Sequence, residues 1–127
     1  MNLEKVAFGF FIILALSLNF GFVMGEIDNP AHHNVYEFFA AIVVNLVATV
    51  IKFGDRTQLG AVLLATSLVA DIELIAAAVV WGLAVHATAD GITPEAMASV
   101  VSLAGGAVVA NFVSVALLLI ETVLLRR

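Results

Sequence analysis

The stretch LGAVLLATSLVADIELIAAAVVWGLAV, Leu59–Val85, holds two carboxylates near its middle, Asp71 and Glu73, and no other charge. At roughly 1.5 Å per residue it reaches across a bilayer core of about 30 Å and places both acids close to the midplane. Neither end can be trimmed to bring the pair near water. Ionised groups are costly at that depth, so an acid there marks a functional site unless something neutralises it.

The rest of the chain agrees with a membrane reading. Of 127 residues, 63% are hydrophobic and 12% charged, and the mean hydropathy is +1.15. Soluble domains carry about a quarter charged residues. The chain therefore reads as an all-α polytopic membrane protein whose first partner is the lipid bilayer. It has no cysteine, which excludes disulfides, thiolate metal sites and thiol nucleophiles. No basic cluster suggests nucleic acid, and no nucleophile–base pair suggests an enzyme.

Polar breaks divide the chain into four transmembrane helices, at about 3–24, 35–53, 58–86 and 94–125, forming one domain over residues 1–127. The first run, Val6–Met24, has the length of a full span and lacks a small-x-small exit, so it reads as a retained helix and not a signal peptide. Asn34 followed by Glu37 is a capping-box pattern opening the second helix, and Asp55-Arg56-Thr57-Gln58 offers another for the third. Thr93-Pro94-Glu95 opens the fourth, with proline at the first helical position.

Four crossings put Lys5, Lys52, Arg56, Arg126 and Arg127, all five basic residues, on one side. Glu26, Asp28, Glu37, Asp90, Glu95 and the three histidines fall on the other. The positive-inside rule then predicts that both termini are cytoplasmic. Trp81 and Tyr36, near the opposite ends, read as interface anchors.

Three helices place polar groups in one layer: Asn45 on the second, Asp71 and Glu73 on the third, Asn111 on the fourth. Thr49 lies one turn from Asn45, Ser67 one turn from Asp71, and Thr66 shares the Glu73 face. The first helix offers only Ser17 and Asn19, nearer its far end, and is expected to be peripheral. No Lys, Arg or His lies at this depth. Asp71 and Glu73 must then be protonated, or face water, a bound cation or a partner subunit. They stand about 200° apart around the helix, so they need not share a site. The plainer reading makes both acids neutral donors that tie helices together through Asn45 and Asn111.

Ser102, Gly106, Ala110 and Ser114 form a small-residue stripe on the fourth helix, suited to close helix packing within the chain or between copies. His32, His33 and Glu37 in the loop after the first helix are weak candidates for a metal site, since their spacing fits no ligand pattern.

Two resemblances complete the reading. Thr49-Val50-Ile51-Lys52-Phe53-Gly54-Asp55 resembles the filter of potassium channels, Thr-Val-Gly-Tyr/Phe-Gly-Asp, with Ile51 in place of the first glycine and Lys52 inside the motif. That resemblance implies a divergent pore with a carbonyl ring. In its length and its Asp28–His33 and Phe53–Thr57 stretches, the whole chain resembles short four-helix membrane proteins of proteobacteria with no assigned activity. This implies a bacterial inner-membrane location and no particular chemistry.

The expected function is a small membrane protein handling a monovalent cation or a proton, as a homo-oligomeric channel. Asp71 and Glu73 would bind the ion, with Asn45 and Asn111 as neutral ligands and Thr49 and Ser67 in support. A bound monovalent cation is the only cofactor this reading allows. The alternative is a non-conducting accessory subunit of a larger membrane complex, whose partner neutralises Asp71 and Glu73.

Overall fold

A computed structural model describes residues 2–87, 89 and 91–125. It is all-helical among the described residues, with α1 (Leu3–Val23), α2 (Val35–Lys52), α3 (Gln58–Ala87) and α4 (Pro94–Leu125). All four are long and apolar enough to cross a membrane. A single 3-10 turn, Pro30–His32, lies in the first loop.

The caps show why the helices begin where they do. Asn2 accepts from the backbone N–H groups of Glu4 (3.0 Å) and Lys5 (3.4 Å), and Asn34 accepts from those of Tyr36 (2.8 Å) and Glu37 (3.4 Å). Glu37 does not complete a capping box; its carboxylate turns onto Gly21 of α1, whose missing Cβ leaves the room. Thr57 caps α3 by accepting from Gly60 N–H at 2.9 Å, and Thr93 caps α4 by accepting from Ala96 N–H at 3.1 Å. Gly25, at φ +96°, supplies the left-handed residue that releases the chain from α1.

The helices run up and down, and each packs on two neighbours: α1 on α2 and α4, α3 on α2 and α4, with the α3–α4 seam the most extensive. Lys5 bonds Glu121 at 2.9 Å and Lys52 bonds Glu4 at 3.3 Å, so both ends of the described chain meet at one end of the bundle. That end holds Lys5, Lys52 and Arg56; Arg126, Arg127 and Asp90 lie outside the described residues.

Buried alanines line the seams: Ala41 and Ala48 on α2, Ala70 and Ala77 on α3, Ala104 and Ala107 on α4. Small side chains let backbones approach where lipid offers no hydrophobic drive to associate. Two apolar clusters form the core. Phe8, Ile12, Ala48 and Leu63 fill the end holding the termini. Phe22, Phe38, Leu74 and Met97 fill the loop end. There Trp81 stacks on Phe38 with ring centroids 5.4 Å apart, so it is part of the core's edge, while Tyr36 is exposed. Large apolar side chains such as Phe10, Val50, Ile72 and Phe112 cover the outside, as expected of a surface that meets lipid.

The first helix departs from its expected peripheral place. Phe8, Ile12, Ala15, Asn19 and Phe22, spaced alternately by four and three, are all fully buried. Asn19 donates to the Ala104 carbonyl at 3.0 Å and ties α1 to α4. The filter-like stretch also differs from its resemblance, because α2 continues to Lys52 as α-helix. Phe53 N–H donates to the Thr49 and Val50 carbonyls at 3.2 Å, leaving no extended carbonyl ladder of the kind an ion filter needs.

Candidate functional site

The buried residues of α3 are Gly60, Leu63, Ser67, Ala70, Asp71, Leu74 and Ala77, a single stripe facing the bundle. Asp71 lies on this stripe and Glu73, two residues on, does not. The two acids therefore have different surroundings.

Asp71 is 6% exposed and sits in a hydrogen-bonded cluster between the two apolar cores. Asn45 of α2 donates through Nδ2 to Asp71 Oδ1 at 2.7 Å and contacts the Ser67 carbonyl at 3.4 Å. Asn111 of α4 donates through Nδ2 to Asn45 Oδ1 at 2.6 Å. Thr49 stands with its hydroxyl 2.5 Å from Asp71 Oδ2 and 3.0 Å from the Asn45 carbonyl one turn back. The chain Asn111–Asn45–Asp71 thus crosses the bundle diagonally and joins three helices. Asn45, Ser67 and Asn111 are fully buried. Ser67 Oγ and Asn111 Oδ1 have no hydrogen-bond partner among the described residues.

The Thr49 hydroxyl sets the protonation logic. It has one proton and two acceptors within reach. With Asp71 ionised, Thr49 and Asn45 both donate to the carboxylate. With Asp71 protonated on Oδ2, the acid donates to Thr49 Oγ, which turns its own proton to the Asn45 carbonyl. Both states are bonded by small hydroxyl rotations, without movement of a helix.

Glu73 is half-buried on the other side of α3, in a groove against α4. Its carboxylate occupies the space left by Gly106, where a Cβ would overlap it. Of the small-residue stripe, Ala110 and Ser114 are buried in the α3–α4 seam, Gly106 makes room for Glu73, and Ser102 is exposed. Thr66 and Ser114 bond hydroxyl to hydroxyl across the same seam.

Lys52 is a residue the sequence placed at the membrane edge and the structure buries. It is 2% exposed, with Nζ 3.3 Å from Glu4, 3.1 Å from Asp55 and 4.5 Å from the centre of the Phe8 ring. It lies one turn from Thr49 along α2, toward the terminal end of the bundle. The Thr57 hydroxyl and N–H, and then Lys52, hold the Asp55 carboxyl at about 2, below its ordinary 3.8. A depressed carboxyl stabilises the fold above its unfolded value and loses that contribution as pH falls through the folded one. The stability difference between the wild type and Asp55→Asn is therefore expected to be full above pH 4 and to vanish as pH falls toward 2, read by thermal unfolding in detergent.

At the loop end, His33 is 5% exposed, and its two ring nitrogens face the carbonyls of Phe22 (2.6 Å) and Glu26 (2.7 Å). His32 Nδ1 accepts from Glu26 N–H at 2.8 Å. With Glu37 turned to Gly21, the three metal candidates are occupied by separate tasks, and no group of three metal-binding side chains converges among the described residues. His33 pins the first loop to the end of α1.

These features define a small four-helix polytopic membrane protein with a buried polar cluster around one carboxylate, Asp71, midway along the bundle. The chain belongs to a family of unknown function, DUF6394, whose model matches residues 32–122. No curated protein and no solved structure matches it.

Proposed function

We propose that the chain is a proton-handling membrane protein in which Asp71 takes up and releases the proton. The observation that carries this reading is the Thr49 hydroxyl shared between Asp71 Oδ2 at 2.5 Å and the Asn45 carbonyl at 3.0 Å. It gives both protonation states a complete set of bonds. A metal cation needs several oxygens around a space of its own, whereas here Asn111, Asn45, Asp71 and Thr49 touch one another directly at 2.5–2.7 Å. A proton needs no such space, and so it is favoured over the monovalent cation. No catalysis is assigned to the site.

The two apolar clusters fill the bundle above and below Asp71, so a homo-oligomeric channel would need assembly to open a pathway that reaches this buried acid. A second reading, the accessory subunit, is favoured by Glu73, whose carboxylate has no donor among the described residues. In either case the positive-inside rule supports cytoplasmic termini in a bacterial inner membrane.

The test is infrared difference spectroscopy of the reconstituted protein across a pH titration, with proton flux into liposomes measured in parallel. Asp71→Asn keeps the shape and a hydrogen-bonding head, so the bundle is expected to remain folded. It should lose one titrating carboxyl band of a protonated acid in a dry site, and any proton flux with it. A titration and flux unchanged in Asp71→Asn would overturn the proposal.

A further inference from the structure

We infer that the groove between α3 and α4 holding Glu73 is a docking site for a transmembrane helix that carries a lysine or arginine at mid-depth. This rests on the accessory-subunit reading and leaves the chemistry at Asp71 untouched. The groove has a volume of about 470 Å³ and is walled by Val69, Val109, Ala110 and Val113, with Glu73 and Thr66 its polar members. The Thr66 hydroxyl is engaged by Ser114 and the Leu63 carbonyl. No donor reaches the Glu73 carboxylate among the described residues.

Gly106 is what allows the acid to sit there, since any side chain at that position would displace it. The result is a single carboxylate set in an apolar notch that opens sideways. Hydrocarbon tails offer it nothing to bond. Among the described residues a second copy of the chain offers no Lys or Arg at this level, because Lys5, Lys52 and Arg56 lie at the terminal end, two of them already paired. A guanidinium or ammonium from another helix would supply the missing charge in a setting where an ion pair is screened far less than in water. Two other grooves contrast with it, and the groove that holds Glu121 has its acid paired with Lys5. The one between α1 and α4 is lined by Leu16, Phe20, Val108 and Phe112, with Ser17 as its only polar residue, and the one on α2 by valine, leucine and isoleucine.

The experiment uses the full chain, donor-labelled, in phosphatidylcholine vesicles. Acceptor-labelled synthetic leucine/alanine helices of about 24 residues, long enough to span, carry Arg, Gln or Leu at the central position. Energy transfer reads association. The Arg helix is expected to bind the wild type roughly tenfold more tightly than Glu73→Gln, and the Leu helix to show no such dependence. Gly106→Val, which fills the notch, should weaken the Arg helix as Glu73→Gln does. Glu73 lies outside the bundle's interior, so helicity and unfolding of Glu73→Gln should match the wild type and confirm an intact fold. Equal binding of the Arg helix to wild type and Glu73→Gln would overturn the inference. Preference for the Gln helix over the Arg helix would also overturn it, while leaving an accessory role standing. Glu73-dependent self-association that excludes the Arg helix would overturn both and put a second copy in the groove.

Discussion

Asn45→Leu is expected to destabilise the bundle by about 2–3 kcal/mol, the largest effect of any single substitution in the polar layer. Asn45 is the middle of the diagonal, receiving from Asn111 at 2.6 Å and donating to Asp71 at 2.7 Å. Leucine removes both bonds at once and leaves the Asn111 amide and one Asp71 oxygen buried without partners. An unsatisfied buried polar group loses more than a hydrogen bond contributes when made, and lipid offers no water to fill the gap. Asn111→Leu removes an end of the chain and strands only Asn45 Oδ1, so roughly half the effect is expected. Reversible unfolding in mixed micelles of the two single variants and the double variant gives the coupling directly. Two small, additive effects would mean that Asn45 and Asn111 are not working as one network.

The second large effect concerns Lys52. Removing its acids, as Glu4→Gln with Asp55→Asn, leaves an ammonium 2% exposed beside the Phe8 ring with no counter-charge. A loss of about 3 kcal/mol is expected, because an uncompensated buried charge is far less stable than a paired one. Lys52→Met should do much less, about 1 kcal/mol or below, since Glu4 is 45% exposed and can turn to water. The asymmetry is the test: with unfolding free energies in hand, equal losses would show that Lys52 is not held as a buried ion.

Much of this arrangement is visible in the chain as written. Each helix announces itself by a long apolar run bounded by polar caps, and Asn34 and Thr93 cap as their positions suggest, while α3 is capped by Thr57 and not by the box of Asp55 and Gln58. The polar layer also shows, because Asn45, Asp71 and Asn111 stand out against apolar neighbours and antiparallel hairpins bring them level. Other features are hidden for a physical reason. The buried stripe of α1, Phe8 to Phe22, has no amphipathic contrast to reveal it, since its lipid face is as apolar as its core face. Ala15 and Asn19 were the available hints: small and polar side chains gather where helices touch. Lys52 read as an edge charge free to reach water. Its burial depends on Glu4, 48 residues away in the chain and brought alongside only when α1 docks on α2.

Hydropathy and capping are local properties, so the sequence by itself determined the number of membrane-competent helices, where each begins, and the place of the acidic pair midway along the third. Rotation of each helix about its own axis is not local. In lipid no polar face points outward to orient it, and only the fit of alanine, glycine and serine seams between neighbours decides which residues turn inward. That fit placed Asp71 among Asn45, Thr49 and Asn111, and left Glu73, two residues further on, in a groove open to the bilayer.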